Sequence, residues 1–480
     1  MLVDGEHYPP VVAAGIARLR AAYSVEAGIF AGGREKLRGD SVEGGRAEGG
    51  SAAGDDALAA LAAEIGVPRL DAVEPRSAPV HEVLEGVRAA LRAARAEALV
   101  DLSDEPVVGY RERFLLMSAA LAEGAVYVAA DTEVRPQAFA RLTATPSLAV
   151  IGTGKRVGKT AVSGWLARRI DAARRADGGV VVLAMGRGGP PEPELILGGD
   201  GLGPAELLAA SRAGRHAASD CYEDAVLAGV TAVGCRRCGG GLAGMTFDDN
   251  VREALPLLDG RGAALAVIEG SGAVVPPLAA DATLCVAGAA QPADYVAGFL
   301  GTYRLLLSDA LVLTGCEPPF ATPGEVAALT AAARAVKPGL EVLATVFRPR
   351  PVQSVRGRRV AFFTTAPAAA APELAASLAA DHGADVVLVS CDLADRRRLP
   401  DAVKRAAAEA DVFLTEIKAA AVDVVAEAAA AAGRELVFCD NEPVARDGDL
   451  GKTVDRLAAL AAERFAARDA AAVAAREERA

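Results

Sequence analysis

Cysteine is sparse: seven in 480 residues, an odd number without a dense framework. That excludes the disulfide scaffold of a small secreted domain and fits a reducing compartment. A secretory leader is not expected either. MLVDGEHYPP places acid at Asp4 and Glu6 where a signal peptide has base followed by an apolar run, and no uncharged apolar stretch reaches membrane-spanning length. The expectation is a cytoplasmic chain with no membrane partner. Positive charge is also short, since 51 Lys and Arg against 63 Asp and Glu leave −12 at pH 7. A broad nucleic-acid surface is therefore disfavoured, and any anion site must be a focused cluster of Arg and Lys. Apolar residues, at 52%, are abundant enough for two to four domains.

The pattern along the chain is α/β throughout. A short strand ends at Asp4 and a helix follows near residues 11–22. Residues 32–56, rich in glycine and charge, interrupt the pattern and read as a mobile loop. Helices are expected near 56–65 and 80–98, and strands end at Asp101 and Asp131. Acids after strands can line a crevice at the carboxyl edge of a sheet, yet the same positions suit ordinary turns and caps. DGEHYPP is less ordinary, because two prolines stiffen the strand exit beside Glu6, His7 and Tyr8.

From residue 146 the order is strand SLAVIG, a glycine loop, a helix from Lys159, and strand GVVVLAM. More strands are expected at 264–268, 282–286, 310–313 and 341–346, giving a parallel sheet. After FRPRPVQS a fresh α/β series begins and closes with an Ala-rich helix over 455–480. The expected domains are 1–144, 145–347 and 348–480, a central P-loop NTPase parallel sheet flanked by N-terminal and C-terminal α/β domains.

IGTGKRVGKT carries the chemistry. Glycine at a strand-to-helix turn lets successive backbone N–H groups face phosphate oxygens at a helix N-terminus. Gly152, Thr153, Gly154, Lys155, Arg156, Val157, Gly158, Lys159 and Thr160 would then bind nucleotide, with Lys159 neutralising terminal phosphates and Thr160 presenting its hydroxyl to Mg²⁺. Thr153 stands where the common spacing has glycine.

GTGKRVGKT resembles the GT-x-x-x-VGKT loop of dethiobiotin synthetase and related ATP-dependent enzymes, whose first glycine also lies six residues before the second. AVIEGSGAVVPP is similar to the strand that gives those enzymes a Mg²⁺-binding carboxylate, with Glu269 at the matching position. With LVDGEHYPPVV at the start, VIGTGKRVGKTA in mid-chain and this total length, the sequence resembles the cyclic 2,3-diphosphoglycerate synthetase family. The resemblance implies ATP and Mg²⁺ as cofactors and 2,3-diphosphoglycerate as substrate, closed to a cyclic anhydride with release of ADP and phosphate; a homodimer is compatible with it. Catalysis of this kind rests on positioning and charge neutralisation.

Lys159, Arg187 and Lys155 are the expected catalytic cations, and Arg suits phosphate because its planar fork makes two parallel hydrogen bonds. Substrate contacts are expected from Asp4, Glu6, His7, Arg187, Arg236, Arg237, Arg348 and Lys418. Arg348, with Arg350, reads equally as solvated linker charge, and Lys418 as half of a surface pair with Glu416. DNEPV at 440–444 reads as a turn. CRRC at 235–238 has metal-like spacing, but a zinc site needs four ligands and only His216 is near. It reads as a glycine-rich loop with two ordinary thiols. His81 and His382 read as surface residues. Two other functions share these features: a different ATP-dependent kinase or synthetase acting on a small anion, and a nucleotide-driven switch or metallochaperone.

Overall fold

The computed structural model describes residues 1–33, 36–37, 52–199, 201–215, 217, 219–419 and 421–477. Most of the expected loop 32–56, together with His216, lies outside them. The described residues form two compact units. One comprises Met1–Ala138, Pro292–Leu307 and Ala328–Leu340, the other Phe139–Gln291, Ser308–Ala327 and Glu341–Ala480. No helix among the described residues is long and apolar enough to cross a membrane.

In the first unit the strands are β1 (Leu2–Val3), β2 (Gly28–Phe30), β3 (Leu70–Ala72), β4 (Ala98–Val100), β5 (Val126–Val128) and β6 (Glu133–Val134). β1-β2-β3 and β4-β5-β6 form two short sheets, and a single parallel bridge from Leu2 to Asp101 joins them. The order is then 3-2-1-4-5-6, with its reversal between β1 and β4, where a doubly wound sheet opens a crevice. Val3, Ile16, Phe30 and Ile65 pack beneath it. Asp4 and Asp101 sit at that reversal, and each is engaged by hydrogen-bond donors from its own turn and from elsewhere in the unit. Asp4 accepts hydrogen bonds from the backbone of Glu6 at 3.0 Å and of Asp104, and pairs with His7 Nδ1 at 2.9 Å. Asp101 accepts from Ser103 N, Arg113 Nη1 and the Tyr127 hydroxyl.

The second unit is built on one sheet of thirteen strands. They are β7 (Ser147–Gly152), β8 (Val180–Gly186), β9 (Glu194–Ile196), β10 (Thr231–Cys238), β11 (Asp248–Asp249), β12 (Leu265–Glu269), β13 (Ala282–Gly288), β14 (Ala310–Thr314), β15 (Glu341–Pro351), β16 (Arg359–Phe363), β17 (Asp385–Ser390), β18 (Val412–Thr415) and β19 (Glu435–Ala445). Their order is β11-β10-β8-β12-β7-β13-β14-β15-β19-β18-β16-β17, with β9 pairing β10 from the side. β7, β12 and β14 are buried at every residue, as strands covered on both faces must be.

β15 and β19 splice two parallel sheets together. Residues 341–344 of β15 pair in parallel with β14, whereas residues 345–351 pair antiparallel with β19, from Thr345 opposite Ala445 to Pro351 opposite Cys439. The other end of β19, residues 435–438, pairs in parallel with β18. Both parallel arrays therefore direct their carboxyl edges at the same two-stranded ribbon. The expected domain boundary at 347/348 falls inside that ribbon, where FRPRP is strand.

Phe363 and Phe413 are fully buried under the C-terminal array, their ring centroids 5.3 Å apart. Replacing Phe413 with Ala leaves a cavity in a close-packed layer and should lower stability by about 3–5 kcal/mol in chemical denaturation; a loss under about 1 kcal/mol would show that this layer repacks freely.

Candidate active site

The glycine loop leaves β7 at its carboxyl end, and its glycines answer to specific neighbours. A Cβ on Gly152 would lie 2.7 Å from Lys159 Cδ, so only glycine lets the lysine stem pass. Gly158 has φ +84°, and a Cβ there would come within 2.4 Å of the Phe347 ring from the ribbon. Arg156 also takes a left-handed conformation, at φ 62°.

Thr153 fills the missing glycine's place by acting as a tether. Its hydroxyl donates to Gln291 Oε1 at 2.6 Å, and the same oxygen accepts from Gly288 N at 2.9 Å. Gln291 follows β13, so the carboxamide ties the loop to the adjacent strand. Thr314 at the end of β14 donates to Val157 O at 2.8 Å and fixes the far side. Sequence reasoning missed Gln291; its one signal was a polar residue just after a buried strand on the carboxyl edge.

The loop's helix, Lys159–Arg174, begins directly after Gly158. Lys159 is buried, and its ammonium donates to Gly154 O at 2.9 Å. Thr160 donates to Glu269 Oε1 at 2.6 Å, and Glu269 Oε2 is buried with no hydrogen-bond partner. Burial, and next Asp220, push the Glu269 carboxyl up to about 8, whereas burial pulls Lys159 down against the attraction of Glu269.

Residues 220–228 add an acidic wall that the sequence reading did not single out. Glu223 is pushed up to about 8, chiefly by burial, although Lys418 lies 3.3 Å away and opposes the shift. Burial also tends to lower Lys418, but Glu223 and Glu416 outweigh it and hold its charge. Asp224 is buried with neither carboxylate oxygen hydrogen-bonded, and burial followed by Glu269 raises it well above the usual range.

Arg237 and Arg187 converge above Gly272, their Nη2 atoms 3.4 and 3.7 Å from where a side chain there would begin. Arg237 is buried and bonds only to neutral acceptors: Ser271 O and Oγ at 3.1 Å and Gly239 O at 2.7 Å. Its Nε has no partner. Burial, then the charge of Arg187, lowers its pKa. Among the described residues this is a buried cation without a carboxylate, next to an exposed second cation and one loop from Glu269.

Other expected residues lie elsewhere. Residues 231–238 form strand β10, not a loop, so neighbours point to opposite faces. Arg236 therefore turns away from Arg237, to Pro191 O and 3.5 Å from Asp248. The same alternation separates Cys235, buried with its thiol pushed up to about 12 by burial, from exposed Cys238. No group of three or more His, Cys, Asp and Glu able to hold a metal occurs among the described residues. Arg348 gives both arms of its fork to Glu317, with Glu373 3.6 Å away, so it is a strand ion pair and not free for substrate. Arg350 pairs with Asp440 at 2.9 Å. DNEPV is strand rather than turn: Glu442 accepts from Trp165 of the loop's helix at 3.2 Å, and Asn441 donates to Glu416 at 3.0 Å. Glu416 is thus held by Asn441, Thr364 and Thr365 and is not an exposed partner of Lys418. His382 is half-buried and bonds to Pro349 O at 3.0 Å. Lys155 and Arg156 are exposed at the loop's tip, and Asp4, Glu6 and His7 belong to the other compact unit.

Comparison with known proteins covers almost the whole chain. Family models described as the N-terminal domain, the P-loop domain and the C-terminal domain of cyclic 2,3-diphosphoglycerate synthetase match residues 1–135, 147–346 and 351–442. A cyclic 2,3-diphosphoglycerate synthetase of Rubrobacter xylanophilus is 49% identical over 93% of this chain and 94% of its own length. One from Methanothermus fervidus is 38% identical over 95% of each. A solved structure of the hydrogenase maturation factor HypB from Archaeoglobus fulgidus, 14% identical, overlaps 42% of this chain and 82% of its own at a TM-score of 0.28, and nothing rests on so slight a likeness.

Gln291→Ala should free Thr153 and the loop together, costing about 1–2 kcal/mol, or roughly 5- to 30-fold in nucleotide affinity by calorimetry, with little change in melting temperature. Unchanged affinity would remove the tether from the site. The buried acids give a second expectation. Folded Glu223, Asp224 and Glu269 hold protons to higher pH than the unfolded chain does, so stability of the ligand-free protein should fall as pH rises from about 5 to 8. Denaturation at intervals across that range checks the sign, and Glu269→Gln should flatten the slope.

Proposed function

The chain belongs to the cyclic 2,3-diphosphoglycerate synthetase family, and from that premise we propose that it closes 2,3-diphosphoglycerate into its cyclic anhydride at the site formed by the glycine loop, Glu269 and the Arg187–Arg237 pair. The observation that carries this reading is the buried, carboxylate-free guanidinium of Arg237 beside an ATP loop. Its hydrogen bonds go only to neutral acceptors, and among the described residues no carboxylate forms an ion pair with it, so a substrate phosphate would supply the missing counter-charge.

The reaction must bring like charges together. Each pair of unit charges at about 4 Å repels by about 4 kcal/mol at an effective dielectric of 20, so two dianionic phosphates need several cations around them. ATP first transfers its γ-phosphoryl group to one substrate phosphate, giving a pyrophosphoryl group and ADP. An oxygen of the second phosphate then attacks the phosphorus bonded to the glycerate oxygen, and inorganic phosphate leaves as the ring closes. Lys159, bonded to Gly154 O, would move its ammonium to the terminal phosphates, while loop N–H groups would hold the chain of phosphates in line. Arg187 and Arg237 would clamp the substrate phosphates. Lys418, which the ribbon brings to Glu223, would face the same cleft from the C-terminal array.

Mg²⁺ is part of the proposal. Thr160 and Glu269 offer it hard oxygen donors, and the orphaned Glu269 Oε2 is the observation that fits, since a Mg²⁺ shared with phosphates takes one or two protein oxygens. The ion would offset charge on the β- and γ-phosphates. No disulfide joins the cysteines among the described residues, in keeping with a cytoplasmic location.

Phosphorus NMR of the protein with ATP, Mg²⁺ and 2,3-diphosphoglycerate should show anhydride resonances growing with ADP and phosphate; a new ester phosphate instead would make the protein a kinase. Arg237→Ala should raise KM for 2,3-diphosphoglycerate by tenfold or more and leave that for ATP nearly unchanged, the loss of one charge-assisted contact being worth about 1.5–3 kcal/mol.

A further inference from the structure

The carboxyl edge of the β7–β13 region holds the ATP loop. At the opposite edge, where these strands begin, there is a wide-open cavity of about 500 Å³ lined by Arg141, Ala280, Asp281, Arg464 and Arg468. β7 runs six residues between the two edges, roughly 20 Å at about 3.3 Å per residue, so the cavity is separate from the nucleotide.

Two of its arginines are fixed by the sheet. Arg464, on the C-terminal helix Leu450–Glu477, makes a forked pair with Asp309 at 2.9 and 3.0 Å and donates to Asp281 O at 3.0 Å. Arg468, one turn on, donates to Leu142 O at 3.0 Å and stacks on Phe465. Its Nη1 lies 2.9 Å from Asp281 Oδ1, but its N–H bonds are not aimed at that oxygen, and the atom is buried without a hydrogen bond. The two carboxylates are shared with the sheet, Asp281 accepting from Ser147 N and Oγ at 2.9 Å and Asp309 from Thr283 N at 2.9 Å. Arg141 is different: exposed, with no carboxylate partner among the described residues.

Three guanidiniums thus meet two carboxylates that are already in use, leaving local positive charge in a chain whose net charge is −12. The volume suits a small molecule. The forks of Arg464 and Arg468 are engaged, so they add charge, and Arg141 supplies the open fork that can bind phosphate through two parallel hydrogen bonds. We propose that this cavity binds a small, multiply charged phosphorylated anion at a site distinct from the catalytic cleft. Occupancy would bear on catalysis through β13, which starts at Ala282 beside the cavity and ends at Gly288, the residue bonded to Gln291 of the loop tether.

Inorganic pyrophosphate is the probe. Full-length protein with a non-hydrolysable ATP analogue filling the loop should bind it saturably in calorimetry. Arg141→Glu should weaken that event at least tenfold, whereas Arg187→Ala should leave it intact. Because Arg141 is exposed and has no carboxylate partner among the described residues, the variant should melt as the wild type does, which separates lost binding from lost folding. Affinity unchanged by Arg141→Glu, or abolished by Arg187→Ala, would overturn the proposal, the second result placing the anion in the catalytic cleft. No saturable binding at all would overturn it as well. None of these outcomes depends on which product the catalytic site makes.

Discussion

The antiparallel pairing of residues 345–351 with 439–445 is the constraint on which the second unit depends. A parallel sheet presents its ligand crevice at one edge, and two parallel sheets side by side would present two crevices facing the same way. Joining them antiparallel, over strands that are each long enough to serve both arrays, turns the crevices toward one another. Phe347 then meets Gly158, Glu442 meets Trp165, Asp440 meets Arg168 at 2.8 Å, and Lys418 meets Glu223. None of these pairs is close in sequence, and all follow from one register.

The charge arrangement follows from the same geometry. On the P-loop side, buried acids stand next to buried or shielded cations, and burial is the first cause of each shift in the acids. The site is thereby kept close to neutral where burial leaves little solvent to stabilise separate charges. On the proposed reading, nucleotide and a divalent cation would bring both signs in at once, Lys159 exchanging a carbonyl for phosphate and Glu269 a hydroxyl for the metal.

Much of this was legible in the sequence. The glycine loop, its strand and helix, Glu269 at the end of β12, and the α/β alternation of the chain depend on local patterns that few tertiary contacts can override. What was not legible depended on register or on contacts made far along the chain. FRPRP and DNEPV read as linker and turn because proline and charge dominate them, yet each is a strand whose polar residues pair with the other. CRRC read as a loop beside its glycines, and only the pairing of β10 with β8 shows that its residues alternate. Gln291 and the acids at 220–224 carried no motif, since their role comes from the strands and helix they lie against.

The alternation in β10 constrains how this sequence can drift. Arg236 and Cys238 lie on the outward side, where exchanges for other strand formers disturb little of the cleft. Arg237 is defined by parity as much as by identity. Deleting or inserting a single residue between Thr231 and Arg237 would send its guanidinium to the outer face and bring a neighbour inward, although every side chain in the stretch stayed the same. For this part of the chain, length should be held more tightly than composition.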